Sequence, residues 1–127
     1  MPFRALLQEL VKSLPQVRGA IFCDYEGENV DLAIAAPQPP GCEQLSDFDL
    51  KICGAQVAEA WSCLQQTFGS RGAGAALELQ LGCAGGTLLC HAIRDGYYLL
   101  LLLAPGRPSA PAAFALRQLA ARVELEI

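Results

Sequence analysis

Basic residues are few in this chain, and they are scattered. Nine lysines and arginines stand against thirteen acidic residues, spread from Arg4 to Arg122 without a cluster. That removes the positive stripe that follows a phosphate backbone, so nucleic acid is not an expected partner. No basic amphipathic segment suits an anionic membrane surface. Apolar runs are short as well. The longest, Tyr97 to Pro105, is about half of the ~20 residues a membrane-spanning helix needs. Histidine occurs once, as His91, and the six cysteines (Cys23, Cys42, Cys53, Cys63, Cys83 and Cys90) form no C-x-x-C pair. Zinc ligation is therefore poorly supported by spacing, and neither a metal nor a cofactor is expected. The first segment breaks its apolar pattern with Arg4, Glu9 and Lys12, whereas a secretory leader needs an uninterrupted apolar core. The expectation is a cytoplasmic protein with reduced thiols, most of them acting as small hydrophobes.

What is present is apolar. Hydrophobic residues make up 53% of the 127 positions and charged residues 17%. The length fits one domain over residues 1–127, and the composition fits a folded chain with some apolar surface hidden against a partner.

The pattern yields eight elements. Phe3, Leu6, Leu7, Leu10, Val11 and Leu14 recur at helical spacing, predicting an amphipathic helix from Pro2 to Leu14 that Pro15 closes. Val17–Cys23 and Val30–Ala35 read as two strands joined by a turn at Gly27. Pro37, Pro39 and Pro40 make the following stretch a linker. Ser46 or Asp47 then caps a long helix, Phe48 to Phe68. One of its stripes is Leu50, Cys53, Val57, Trp61, Leu64 and Phe68; a second holds Ile52, Ala55 and Cys63. A helix apolar over most of its girth must be covered on more than one side, and its own sheet covers one.

The glycine-rich "GSRGAGA" lacks the strand before it and the Lys-Ser/Thr ending of a phosphate loop, so a flexible connector is expected. "AALELQLG" alternates, with Leu77, Leu79 and Leu81 on one face and Glu78 and Gln80 on the other, which predicts a half-buried strand. "GTLLCHAIR" follows as a strand, then an Asp95-Gly96 turn. The five leucines after Tyr97-Tyr98 show no alternation, so that strand is buried on both faces, inside an antiparallel sheet with helices on both sides. Ser109 and Pro111 open a last helix, with Ala112, Ala115, Leu116, Leu119, Ala120 and Val123 as its stripe.

Several residues invite chemistry. Adjacent on a strand, Cys90 and His91 point to opposite faces and cannot easily form a nucleophile–base pair. The acidic turn Asp24, Glu26, Glu28, Asp31 lacks the spacing of a calcium loop. Arg71 reads as a surface arginine. Trp61 fits either the core or an interface. Glu78 and Gln80 read as flanking a dimer seam or as solvated.

The order helix, strand, strand, long helix, strand, strand, strand, helix resembles the roadblock / dynein light chain family. "VRGAIFCDYEGENVDLA" is similar to that family's first hairpin and "GTLLCHAIRDGYYLLLLLAPG" to its last, with Phe48–Phe68 in the place of its dimer-forming helix. The resemblance spans nearly the whole chain and is nearest in style to bacterial MglB-like and MglC-like proteins of gliding and polarity systems. It implies an α+β sandwich (roadblock, profilin-like): a five-stranded antiparallel sheet with the long helix on one face and the N- and C-terminal helices on the other. It also implies a non-enzymatic homodimer, or a dimer with another roadblock protein, that serves as a platform for a small Ras-like GTPase of the MglA type in cell polarity and motility.

In such dimers the long helices pack side by side and the third strands pair at their edges. Carried onto this chain, the dimer or partner interface falls at Ile52, Ala55, Gln56, Glu59, Cys63, Gln66, Leu77, Glu78 and Gln80. About 800 Å² buried per protomer would make an ordinary specific interface. The sequence stops at Ile127 without the long tail of larger members, which favours an adaptor over a GTPase activator working without an arginine finger. A small-ligand-sensing module of profilin-like build, with the glycine-rich segment as a lid over a cavity, is the alternative of another class; a cysteine-dependent enzyme is a further one.

Overall fold

A computed structural model describes residues Phe3–Ile127. Pro2, the expected head of the first helix, lies outside the described residues. The elements are α1 (Phe3–Ser13), β1 (Val17–Cys23), β2 (Asn29–Ile34), α2 (Asp47–Phe68), β3 (Glu78–Cys83), β4 (Gly86–Ala92), β5 (Tyr98–Leu103) and α3 (Ala110–Glu124). The strands form one five-stranded sheet in the order β2-β1-β5-β4-β3, antiparallel at every pairing.

The leucine run is the middle strand, β5, between β1 and β4. Its side chains alternate between two separate cores. Leu99, Leu101 and Leu103 meet α1 and α3, packing with Leu7, Leu10, Leu116 and Val123. Tyr98 and Leu100 meet α2, packing with Leu50, Val57 and Trp61. Both faces are apolar because both carry helices, so the period-2 signal of a one-sided strand is absent. The fold class is the one the sequence predicts, and Trp61 belongs to the core.

Local chemistry sets the helix positions. Ser46 caps α2, its hydroxyl accepting the Asp49 N–H at 3.0 Å. Asp47 and Asp49 in the first turn favour the positive end of the helix dipole. The helix then lies close on the sheet. A Cβ at Gly54 would stand 2.8 Å from the Cys23 sulfur, and the Tyr98 hydroxyl donates to the Gly54 carbonyl at 2.7 Å. Gly27, in the β1–β2 turn at φ +83°, would bring a Cβ within 2.8 Å of Ala58. Only glycine fits a left-handed backbone this near a helix.

Three local expectations change. The glycine-rich stretch does not loop out directly: Gly69–Ala73 continues α2 as a wider helical turn, which breaks at Arg71 and at Gly72 with φ +89°. Ser109 stands at the head of α3 but its hydroxyl makes no capping bond there; it accepts from the Gln80 amide instead. Strand β3, expected to be half-buried, is exposed at all its positions except Leu79. It is the outermost strand, and α2 lies across the far side of the sheet, over β1 and β2.

A candidate docking surface on the sheet edge and the long helix

The rows of side chains that cross the sheet explain what β3 exposes. One row on the α2 face runs Leu32, Ile21, Leu100, Cys90, Leu79 through successive pairings. The first four are buried and Leu79 is only partly so. The next row includes Leu102, Leu88 and Leu81, and Leu81 is 50% exposed. The sheet's apolar surface therefore continues past the cover of α2. Its outer margin is Leu77, 64% exposed, and Leu81. Beside it, Ile52 of α2 is 46% exposed.

Between these margins lies a trough of about 330 Å³, floored by Leu79, Leu88 and Leu100 and walled by Ile52, Val57 and Leu81. Gln56 is its one polar side chain with an amide, and Cys53 and Cys90 complete the sulfur part of the wall. Burial raises the Cys53 thiol pKa, with Asp49 adding to it; burial pushes the Cys90 thiol up to about 12. Both stay protonated at neutral pH and behave as apolar groups. The trough can bury hydrocarbon and offers little hydrogen bonding.

The nine residues expected at an interface fall into three groups. Ile52, Gln56, Glu59, Cys63 and Gln66, at steps of three or four, form one exposed stripe along α2, with Ala55 exposed beside it. Leu77 stands just before β3 on the same face of the sheet, lining the neighbouring groove by Trp61 and Gln65, its carbonyl accepting the Ala92 N–H at 2.8 Å. Glu78 and Gln80 lie on the other face of β3. Glu78 is paired with Arg117 of α3, and Gln80 donates to the Ser109 hydroxyl at 3.1 Å. The structure thus brings the helix stripe and Leu77 to one side and turns the two polar strand residues to the other. Leu81 and Leu88 also belong to the apolar surface. Their signal in the sequence is the alternation itself, which reads as a buried row only where a helix covers it.

The other chemical candidates find simpler places. The Asp24 carboxylate accepts from the backbone N–H groups of Glu26 and Glu28, closing its own hairpin turn. Asp31 pairs with Arg4 at 3.0 Å. Among the described residues no group of three His, Cys, Asp or Glu side chains is placed to hold a metal ion. Cys90 is buried in the α2 core, while the His91 ring reaches 4.0 Å from Glu78 on the opposite face. Arg71 is exposed. No described helix is long and apolar enough to cross a membrane. A second open groove, of about 480 Å³, lies at the end of the sheet among Trp61, Gln65, Arg94, Tyr97 and Tyr98. Ala75, Ala76 and Leu77 also line it, and residues 69–74 of the glycine-rich segment do not.

No family model and no curated protein matches this sequence. Solved structures do match its fold. The Roadblock/LC7 domain from Streptomyces avermitilis is 16% identical, with a TM-score of 0.77 over 96% of this chain and 94% of that one. The gliding protein MglB from Thermus thermophilus is 16% identical, with a TM-score of 0.79 over 98% of this chain and 89% of that one. MglC from Myxococcus xanthus is 17% identical, with a TM-score of 0.68 over the full length of both chains. The chain has the roadblock fold.

Proposed function

We propose that this chain is a non-enzymatic regulatory platform. Two copies, or one copy and another roadblock protein, pair through the outer stripe of α2 and the free edge of β3. The paired surface receives a small Ras-like GTPase of the MglA type, or roadblock proteins that act with it, and sets its activity or its location. One observation carries this reading: the apolar rows of the sheet run out onto β3, where Leu77 and Leu81 lie bare, Leu81 across the trough from the exposed Ile52. Monomers rarely leave a contiguous patch of this kind open to water. An edge strand with free N–H and C=O groups is also a template for another strand. Similarity in fold to a protein named for gliding supports a place in cell polarity or motility.

No residue is assigned a catalytic role. The thiols beside the trough hold their protons, and Cys90 and His91 face apart.

Mixing the purified chain with the MglA-type GTPase of its own cell, loaded with GDP or a non-hydrolysable GTP analogue, tests the reading. Calorimetry reads binding and phosphate release reads turnover. Binding with unchanged turnover is the expected result and makes the protein an adaptor. Binding with faster turnover makes it an activator. Absence of binding to either nucleotide state contradicts the GTPase platform.

A further inference from the structure

Strand β3 has one ladder neighbour, β4, and almost no cover on its leucine side. Its hold on the molecule from the other side is made by two side chains. Glu78 accepts from the Arg117 guanidinium at both oxygens, the Nη2–Oε2 contact measuring 3.4 Å. Gln80 Nε2 donates to Ser109 Oγ at 3.1 Å. Both partners belong to α3 or its cap, and α3 is seated firmly. It packs on β4 and β5 and buries Ala112, Leu116, Leu119, Ala120 and Val123. His91, the ladder partner of Glu78, brings its ring to 4.0 Å from the same carboxylate.

Other surface ion pairs do different work. Arg4–Asp31 and Arg122–Glu9 join elements that already pack together in the core under α1 and α3. On β3, beyond the ladder with β4 and the Gln65–Ala76 hydrogen bonds just before it, these two links are the side-chain ties that join the strand to α3 and its cap.

We propose that Arg117 is a positioning residue for the docking edge. Through Glu78, with the Gln80–Ser109 bond beside it, α3 holds β3 in register so that its leucine row and free backbone edge are presented to a second copy. The inference rests on the docking reading above. A frayed edge must be ordered before it pairs, and that ordering opposes association. A link already made in the single chain removes that cost. Because it lies on the face opposite Leu77, Leu79 and Leu81, it leaves the apolar row free. The local stability of an outer strand with few buried contacts is low without such a tie.

Two variants and two readouts test this. Arg117→Met removes the charge and keeps a helix-compatible stem. The double exchange Glu78→Arg with Arg117→Glu restores the pair with its sign reversed. Hydrogen exchange is read at concentrations where the chain is monomeric, and self-association is read by sedimentation equilibrium. In Arg117→Met the amides of residues 78–83 exchange about two- to five-fold faster, the range expected of an exposed charge pair, while those of β5 do not change. Self-association weakens by a similar factor, and the double exchange recovers both. Unaltered β3 exchange in Arg117→Met overturns the inference. So does faster exchange in a variant that pairs as tightly as the wild type. A wild-type chain that never pairs overturns the docking reading instead, and the positioning role for docking falls with it.

Discussion

Cys23 and Cys90 are buried on the α2 side of the sheet, and Cys63 and Cys83 are exposed. Burial pushes the Cys23 thiol up to about 11, against a weaker opposing pull from its hydrogen bond with Tyr98, and the Cys90 thiol to about 12. In the unfolded chain both return to their ordinary value of 9.0. Below that pH both states hold the protons and these groups do not make stability depend on pH. Above it the unfolded chain loses them first. Stability therefore falls as pH rises from about 9 toward 11, by at most about 1.4 kcal/mol per pH unit for each thiol. Urea titrations at pH 7 and pH 10.5 should show the loss, and Cys90→Ala should make it shallower. A thiol reagent at pH 8 should label Cys63 and Cys83 quickly and Cys23 and Cys90 only after denaturation. Fast labelling of Cys90 in the native chain would contradict this core. At the scale of single residues the sequence is informative about burial and poor about partners. It leaves Trp61 open between core and interface, because helical spacing does not say which stripe meets the sheet. It puts Glu78 and Gln80 on the polar face of a strand, yet cannot show that α3 waits there, since Arg117 and Ser109 are distant in the chain.

The long helix shows how one close contact sets an element. Gly54 lets α2 approach β1 until the Cys23 sulfur and the Tyr98 hydroxyl touch its backbone. An alanine there would gain about 1 kcal/mol of helix propensity but force the helix off the sheet, where overpacking costs about 1–3 kcal/mol. Gly54→Ala should therefore lower the denaturation midpoint, and adding Cys23→Ala should return part of the loss, because the crowded atom is the sulfur. Equal losses in the single and double variants would refute this packing. Most elements are legible from periodicity: α1, β1, α3 and the buried β5 lie where their patterns put them, to within a residue or two. Two are not. The glycine-rich segment carries a composition typical of loops, but a helix already formed through Phe68 can extend another turn before Gly72 ends it. For β3 the alternation holds and the expected burial does not. Alternation tells which residues share a face, and only the lateral position of α2 tells whether that face is covered.

At the scale of the molecule, three α-helices among the described residues cover a five-stranded sheet unevenly. The α1 and α3 side is closed over most of its width. On the other side α2 covers β2, β1 and β5 as far as Cys90 of β4 and leaves the sheet's apolar rows to run out at Leu79 and Leu81. The surplus apolar girth of α2 is legible in the sequence, and the structure adds the bare strand beside it. The account predicts that the two are halves of one interface. Sedimentation velocity on the wild-type chain and on Leu81→Lys measures this directly. Leu81 is half exposed in the single chain, so the lysine leaves the fold intact, as circular dichroism should confirm, and places a charge in the seam. The expected result is a dimeric wild type and a monomeric Leu81→Lys. A wild type that remains monomeric up to about 1 mM, where pairing would be worth only about 4 kcal/mol, would contradict the account.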